Sequence, residues 1–411
     1  MAVSAKEKKM LRDLAKKIAE IAALPVQKEK LELWRRLNSL ERVRPMVLLQ
    51  NGTWHETGSE IKLEAKDEFA RQQEWGLRAT LYHWDHMRDD SVYTAEMHSP
   101  VVVNCTGMGI ETNSTAPDHV FGARHYNTVI QDDESPERIP MPRVTVDLAE
   151  TERRYQQLCD VYGGIMKVEK RGVGGFWFAM MDQFIQWRGL DKTFTDMVDR
   201  PQWIHAWMQK MTDWHMSTLD QYEKLNVLSL NNGVNNVGPG GLATTDELPQ
   251  KDFDGTHVRT RDMWGHATTQ IFAEVSPAMH EEFALRYERR FLARFGLASY
   301  GCCEPLDKKL DIVKTIPNLR RVSMSPWVDP ARGAEGLKGD YIFSYKPNPA
   351  IIGMEEWDEQ LVRNKLRDML DKTRGCVVEI IMKDLHTCRG QPYRMWEWVK
   401  VAMELAEEYA A

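Results

Sequence analysis

Short, continuous apolar runs recur along the chain, and longer stretches with helical spacing separate them. These runs predict eight strands, at Met46–Leu49, Val101–Cys105, Gly164–Glu169, Val227–Leu230, Leu297–Tyr300, Leu319–Ser325, Tyr341–Tyr345 and Val377–Met382. Continuous apolar runs are typical of parallel strands that are buried on both faces. Helical spacing fills the intervals, notably over residues 193–224, 277–295, 305–316, 355–373 and 391–409. Eight strands that alternate with helices predict the α/β class and a (β/α)8 TIM barrel.

Two further helices precede the first strand and predict an N-terminal helical extension over residues 1–40. They are expected over residues 4–23 and 26–39, where apolar residues recur at helical spacing and Pro25 favours a helix start. No linker separates two halves, so we expect one domain over residues 1–411. Long βα loops are predicted at 106–146, 172–188, 233–262 and 326–340. The segment 233–262 is rich in glycine and polar residues, which favours an insertion or a lid loop.

Charge and composition exclude several classes of protein. The 411 residues carry 54 basic and 61 acidic side chains, a net charge of −7, which argues against a nucleic-acid or membrane partner. No apolar run approaches the ~18 residues of a spanning helix, and the N-terminus lacks the apolar core of a signal peptide. Six cysteines in 411 residues do not make a disulfide scaffold. We therefore expect a soluble, cytoplasmic protein.

The most reactive side chains follow two of the predicted strands. In a TIM barrel, functional residues project from the carboxyl ends of strands. Gly301-Cys302-Cys303-Glu304 follows one predicted strand, and Lys383-Asp384-Leu385-His386-Thr387-Cys388 follows another. Thiolate, imidazole and carboxylate are ligands of Zn²⁺, so we predict a metal site of Cys302, Cys303, Glu304 and His386. The alternative is that Cys303 packs in the core and His386 makes a structural contact.

Other strand ends supply candidates for catalysis and substrate binding. The predicted catalytic residues are His386, Asp384, Lys383 and Glu169. The predicted substrate-binding residues are Asn231, Asn232, Met180, Met181, Gln183, His266 and Trp327. Ion pairs would equally explain Glu169 and Lys383, and a loop contact would explain His266. Lys346 follows the seventh strand and receives no role from the sequence. No GxSxG, Walker A or strand-linked GxGxxG motif is present, which argues against an α/β-hydrolase, a P-loop NTPase and a Rossmann dehydrogenase.

Three stretches together resemble the uroporphyrinogen decarboxylase superfamily. RGLDKTFTDMVDRPQWIHAWMQK resembles a helical region of that superfamily, and VSPAMHEEFALRYERRFLARFGL resembles its next helix, with Arg286 where proline is usual. LASYGCCEPLDKKLDIVKTIPNLRRVSMSP resembles the following strand, where methyltransferase members carry a His-x-Cys pair. The resemblance extends over about residues 30–405 and also implies a TIM barrel.

The resemblance favours one branch of the superfamily. Its decarboxylases carry an arginine-rich N-terminal motif, whereas the matching region here reads RVRPMVLLQNG. The other branch comprises cobalamin-dependent methyltransferases, which move methyl groups to or from a corrinoid protein. Some members bind zinc through His, Cys and Cys. Here Tyr300 or Gly301 stands at the histidine position, Cys302 or Cys303 matches the first cysteine, and His386 and Cys388 lie near the late one.

The resemblance implies an enzyme, and the composition suggests its substrate. With 14 tryptophans and 22 methionines, a flat aromatic methyl donor is expected. The prediction is O-demethylation of a methoxylated aromatic, with zinc assistance and transfer to the Co(I) of a corrinoid protein that docks on the βα loops; a homodimer is possible. The alternatives are another methyl donor (methanol, methylamine or methylthiol), a metal-free lyase in which Arg171 and Lys383 hold a carboxylate, and a non-catalytic binding barrel.

Overall fold

The computed structural model describes residues 3–117, 122 and 124–410. Its strands are β1 (Met46–Leu49), β2 (Glu96–Pro100), β3 (Val102–Cys105), β4 (Ser114–Thr115), β5 (His125–Tyr126), β6 (Val144–Asp147), β7 (Lys167–Arg171), β8 (Trp264–Ala267), β9 (Leu297–Tyr300), β10 (Leu319–Met324), β11 (Ile342–Tyr345) and β12 (Val377–Met382). Six of them form a parallel sheet in the order β1-β12-β11-β10-β9-β8. The α/β class is therefore confirmed.

Helices fill the intervals between the strands. They are α1 (Ala5–Ala22), α2 (Pro25–Asn38), α3 (Trp54–Thr57), α4 (Glu68–His86), α5 (Leu148–Tyr162), α6 (Met180–Arg188), α7 (Leu190–Asp199), α8 (Pro201–Lys224), α9 (Pro277–His280), α10 (Arg286–Leu292), α11 (Leu310–Val313), α12 (Pro330–Leu337), α13 (Glu359–Lys372) and α14 (Tyr393–Glu408). The two predicted N-terminal helices are α1 and α2, and Ser4 and Glu7 form a capping box at the start of α1. Over the described residues, every helix is too short or too polar to traverse a lipid bilayer.

Outside the six-stranded sheet, the elements of the predicted barrel pair with one another over short stretches. β2 pairs in parallel with β7, and isolated parallel bridges join Val173 to Leu228 and Phe178 to Ala267. The segment that follows β7 thus bridges to Leu228 and to β8 at single residues. Within the described residues, no strand pairing connects the two-stranded sheet of β2 and β7 to β1 and so closes the barrel. Closure into eight strands therefore stays a prediction.

Three strand predictions need correction. Trp264–Ala267 was not predicted as a strand because glycine and histidine interrupt its apolar run, yet it is the buried β8. The predicted parallel strand at Val101–Cys105 is β3, which is partly exposed and pairs antiparallel with β6. The predicted strand at Val227–Leu230 makes only the single bridge at Leu228.

Alternate residues of the main sheet belong to two different clusters. Val47, Phe343 and Val378 pack in the large core that includes the surrounding helices. Their neighbours Ile342 and Val377 pack instead in a smaller cluster. Because successive side chains along a strand point to opposite faces, the sheet has a helix-covered face and a second face, which we call the interior face.

The segment 233–262 packs against the interior face of the sheet. Leu242 packs with Trp34 of α2 in the smaller cluster, and the Gly241 amide donates to Glu379 Oε1 at 3.0 Å. Arg320, at the start of β10, pairs with Glu247 Oε1 at 2.5 Å. Gly238 of the same segment packs against the ring of His266 on β8, since a Cβ there would lie 2.4 Å from Nδ1. The segment therefore contacts the sheet at several points, and its assignment as an insertion or a lid loop stays a prediction.

Candidate active site

The turns that follow β9 and β12 meet at the carboxyl ends of the sheet. Cys302 Sγ lies 3.5 Å from Cys303 Sγ, and Lys383 Nζ lies 3.5 Å from the first and 3.6 Å from the second sulfur. Lys383 also pairs with Asp384, whose Oδ2 is 3.8 Å from Cys303 Sγ. β9 and β12 are separated by two strands, so the sheet curls enough to bring their ends together. We call these four residues the thiol cluster.

The thiol cluster places a thiol of lowered pKa beside an ammonium group. The hydrogen bond from Cys302, with help from the Lys383 charge, lowers the pKa of Cys303 to about 7, although burial opposes this. The same hydrogen bond and burial raise the pKa of Cys302 above its usual range. Burial alone would lower the pKa of Lys383, but the two thiols and Asp384 raise it. Cys303, the more exposed thiol, is therefore the nucleophilic one.

Glu304 faces away from the sulfurs and holds the turn that carries them. Its buried carboxylate accepts hydrogen bonds from the Cys302 amide at 2.9 Å and from Thr268 Oγ1 at 2.9 Å. Burial raises the pKa of Glu304. Gly301, which begins the turn, has φ +88°, a conformation that favours glycine. Glu304 thus positions the turn through these hydrogen bonds, and its role as a metal ligand stays a prediction.

The predicted ligand His386 lies in a turn that is organised around another residue. Thr387 Oγ1, the Cys388 amide and the Gly390 amide donate to Glu56 of α3 at 2.5, 2.8 and 3.0 Å. Cys388 is fully buried there, whereas His386 is exposed. The catalytic role predicted for His386 stays a prediction.

The predicted zinc ligands do not fit zinc as a set. In the described part of the chain, no three of Cys302, Cys303, Glu304 and His386 bring donor atoms within 4.8 Å of one another. The Lys383 ammonium group approaches both sulfurs to within 3.6 Å, which is where a shared cation would lie. The residues therefore support chemistry by a thiolate and an ammonium group at this place.

Glu169 belongs to a different part of the molecule. It lies on β7, where its carboxylate pairs with Lys167 and is 4.0 Å from Arg171. Arg171 pairs in turn with Glu96 of β2 at 3.4 Å. The hydrogen bond to Lys167 lowers the pKa of Glu169. Glu169 thus takes part in ion pairs, and its donor atom also lies within 4.8 Å of those of Glu96 and His98, so its catalytic role stays a prediction. The Arg171 guanidinium already has carboxylate partners.

Asn231 and Asn232, which are predicted to bind substrate, make hydrogen bonds to backbone groups. Asn231 Nδ2 donates to the carbonyls of Gly174 and Trp264, each at 2.9 Å, and its Oδ1 accepts from the Trp264 amide at 2.8 Å. Asn232 Nδ2 donates to the Leu248 carbonyl at 2.6 Å. The amide of Asn231 is thereby occupied by neighbouring strands. These contacts correct the prediction that the two asparagines line a substrate pocket.

The remaining pocket predictions lie on α6 and on a surface loop. Met180 and Met181 are buried in the helix-side core, and Gln183 is half-buried on the same helix. Trp327, in the loop after β10, is 70% exposed. The core packing of the two methionines contradicts a role in lining the pocket. Trp327 is accessible to a partner or substrate at the carboxyl end of β10.

His266 lies inside the sheet, on β8, and is not a loop contact. Its side chain is 1% exposed, and Trp177, which is 50% exposed, packs on its ring with centroids 4.8 Å apart. In the described structure, neither ring nitrogen completes a hydrogen bond, although the Ser299 backbone approaches. Burial, and next the charge of Lys346, lower the pKa of His266 to about 3. The imidazole is therefore neutral.

Lys346, at the carboxyl end of β11, is a candidate that the sequence analysis left without a role. Its ammonium group is buried and donates to the Ser344 carbonyl at 2.9 Å and to the Ser344 hydroxyl. Ser344 donates in turn to Glu379, which lies 3.1 Å from Arg321 Nε. Burial lowers the pKa of Lys346 to about 7, against the charge of Glu379. The signal in the sequence was the alternation of Ile342, Ser344 and Lys346.

A buried acid lies behind the turn that carries the thiols. Glu288 of α10 accepts hydrogen bonds from Thr269 Oγ1 and Tyr300 Oη, each at 2.7 Å. Tyr300 Oη is also 2.6 Å from His280 Nε2. Burial raises the pKa of Glu288 to about 8. Nothing in the sequence pattern singled out this helix residue, because its partners Thr269 and Tyr300 come from two other segments.

Comparison with known proteins gives structural likenesses but no match in sequence. No protein-family model matches the sequence, and no curated protein matches it. Among solved structures, a methyltransferase from Methanosarcina mazei is similar, with a TM-score of 0.48 and 8% sequence identity. The match covers 92% of this chain and 97% of that chain. A match of this strength assigns no function, so the chemistry must follow from the residues of the site.

Proposed function

We propose that the protein is a methyltransferase that removes a methyl group from a methoxylated aromatic compound and transfers it to the Co(I) of a corrinoid protein. The observation that carries the proposal is the charged, half-buried thiol cluster at the carboxyl ends of β9 and β12, with Lys383 at its centre. The three stretches that resemble the uroporphyrinogen decarboxylase superfamily, together with the missing arginine-rich motif of its decarboxylases, support the same class. Cobalt(I) is the nucleophile and the methyl acceptor in this reaction.

Lys383 supplies what the leaving group needs. When the methyl–oxygen bond breaks, negative charge develops on the aryl oxygen, and a fixed donor near that oxygen stabilises the transition state. Lys383 stays protonated because the thiols and Asp384 raise its pKa. One such donor is worth about 3–4 kcal/mol in a site that excludes water. A zinc ion is not needed for this step.

An aromatic surface beside the cluster suits a flat substrate. Trp177 is half exposed and packs on His266, whose pKa is influenced by both Lys346 and Lys383. A methoxylated ring that stacks on Trp177 would direct its ether oxygen towards these lysines. The methyl group would then face the open carboxyl end of the sheet, where the exposed Trp327 and neighbouring loops offer a docking surface to the corrinoid protein.

The test measures methyl transfer from methoxybenzene to free cobalamin reduced to Co(I), followed by absorbance. Lys383→Met should lower kcat by about 10²–10³, the usual loss for one electrostatic donor. Lys383→Arg should retain more activity because it keeps the charge. Lys372→Met is the matched control, since Lys372 is a lysine on α13 that pairs with Asp368.

Three outcomes would contradict parts of the proposal. Transfer from methanol or methylamine without transfer from methoxybenzene would overturn the substrate and keep the class. Equal activity of Lys383→Met and wild type would overturn the role of Lys383. No transfer from any donor would overturn the class.

A carboxy-lyase is the second candidate, and Lys346 is the observation that favours it. A buried ammonium group whose partners are neutral oxygens can hold the carboxylate of a substrate. Arg171, which the sequence analysis assigned to this task, pairs with Glu96 instead. Release of CO2 from a porphyrinogen, with no methyl transfer, would favour this candidate over the first.

A further inference from the structure

We propose that His266, Lys346 and Lys383 form a binding subsite for a carboxylate on the interior face of the sheet. The proposal concerns binding and does not depend on the methyl transfer proposed above. His266 lies on β8, Lys346 directly follows β11, and Lys383 directly follows β12. Together they would surround one small anion below the thiol cluster.

The alternation of side chains brings the three residues to the same face. Lys346 shares its face with Ser344, and Lys383 shares its face with Glu379, four residues earlier on β12. Ser344 hydrogen-bonds to Glu379, so both strands present these residues to the interior. His266 shares its face with Trp264, whose indole lies over the interior Arg321 at 5.3 Å.

His266 is the observation that points to a ligand. Its imidazole is 1% exposed, and within the described residues both ring nitrogens lack a completed hydrogen bond. A buried polar group without a partner costs about 1–3 kcal/mol, so native structures rarely leave one unmatched. Gly238 packs against the ring, because a Cβ there would lie 2.4 Å from Nδ1. The imidazole is thus held in place with unused hydrogen-bonding capacity.

The charges select a singly charged anion. Arg321 is paired with Glu379 at 3.1 Å, and Lys383 is paired with Asp384. Lys346 donates only to the carbonyl and hydroxyl of Ser344 among the described residues, which leaves one ammonium proton without an acceptor. Lys346 is thus one positive charge without an acidic partner in contact. A single positive charge matches the single negative charge of a carboxylate better than the two charges of a phosphate dianion. Burial, which lowers the pKa of Lys346 to about 7, would be offset by such a ligand.

The carboxylate has two possible sources, a free small acid or an acid group on an aromatic substrate. Isothermal titration calorimetry of the full chain with acetate and with benzoate separates them. Equal binding of both anions indicates a free small carboxylate. Binding of benzoate alone indicates an aromatic acid, whose ring would contact Trp177. Binding of neither anion would overturn the proposal.

A variant and its control locate the subsite. Lys346→Met should weaken binding by about tenfold or more, the usual loss for a charge-assisted hydrogen bond. Lys309→Met is the matched control, because Lys309 is equally buried but donates to the Phe272 carbonyl, outside the subsite. Unchanged affinity in Lys346→Met, or an equal loss in both variants, would overturn the assignment.

A measurement on the wild-type protein covers the case in which Lys346→Met does not fold. Reductive methylation with formaldehyde labels neutral amines, and mass spectrometry reports the labelling of each lysine. Benzoate or acetate should protect Lys346 by about tenfold and leave Lys309 unchanged. Equal labelling of Lys346 with and without the anion would overturn the proposal. Because no corrinoid takes part, failure of methyl transfer and failure of this subsite are distinguishable.

Discussion

Replacing Glu56 by glutamine tests how the turn after β12 is held. Glu56 lies on α3, which follows β1, and it accepts hydrogen bonds from Thr387 Oγ1, the Cys388 amide and the Gly390 amide. The Cys388 thiol is a fourth donor, at 3.1 Å. This turn follows Lys383 and Asp384 directly, so the carboxylate fixes the segment on which the thiol cluster depends. Glutamine keeps the size of the side chain and removes its charge.

The pKa of Glu56 gives the size of the effect. Burial would raise this pKa, but the four hydrogen bonds outweigh burial and lower it from 4.5 to about 2. This lowering of the pKa corresponds to about 3.5 kcal/mol of preference for the charged carboxylate in the folded state. The side chain is 20% exposed, so we expect glutamine to cost about 2 kcal/mol at pH 7. Since the folded pKa is depressed, the stabilisation is present above pH 4.5 and is lost as the pH falls through about 2.

Hydrogen exchange at pH 7 is the direct assay. The amides of Cys388 and Gly390 should exchange about 10- to 100-fold faster in Glu56→Gln than in wild type, in proportion to the lost free energy. Glu29→Gln, a change at an exposed glutamate of α2, should leave both rates unchanged. In urea unfolding, the difference between Glu56→Gln and wild type should fall to about half at pH 3. Unchanged exchange rates, or a stability difference that is equal at pH 7 and pH 3, would refute the reasoning.

Two further predictions concern the thiol cluster and the interior packing. The rate at which iodoacetamide alkylates Cys303 should rise with pH with a midpoint near pH 7, and Cys302→Ala should move that midpoint upward because it removes the hydrogen bond to the Cys303 thiolate. Peptide mass spectrometry measures the alkylation of Cys303, and a wild-type midpoint near the ordinary ~8.5 would contradict the prediction. Gly241→Ala should lower the melting temperature, because its Cβ would lie 2.3 Å from the Trp34 ring, at a cost of about 1–3 kcal/mol. Gly76→Ala, which meets nothing within 4 Å on α4, should be neutral or slightly stabilising, and an equal loss in both variants would contradict the packing argument.

Most strands of the main sheet could be predicted from the sequence, including some that carry a polar interior residue. β1 is continuously apolar, and β10 and β12 were predicted although Arg321 and Glu379 lie within them. β8 was missed because its run Trp264–Ala267 includes Gly265 and His266. Gly265 is required by packing, since a Cβ there would lie 2.5 Å from the Phe295 ring. Two features therefore hid this strand. One is the glycine that the close approach of Phe295 requires, and the other is the polar His266 on the interior face.

The thiol cluster could be predicted in part. The strand-end rule identified Cys302, Cys303, Lys383 and Asp384, and the structure brings these four together. Glu304 lies apart from these four because the turn after β9 reverses direction at Gly301, which points the carboxylate at Thr268. Alternation cannot be extended past a residue with positive φ.

The polar residues on the interior face of the strands are also the ones that build the site. A side chain on the interior face is enclosed by the curled sheet, so a charged group there needs a partner on a neighbouring strand. Arg321 and Glu379 meet this need for each other at 3.1 Å. Lys346 and His266 do not meet it among the described residues, since one donates only to Ser344 and the other completes no hydrogen bond. Structural pairs and ligand-binding groups thus look alike in the sequence, as single polar residues in apolar runs, and only their partners in space separate them.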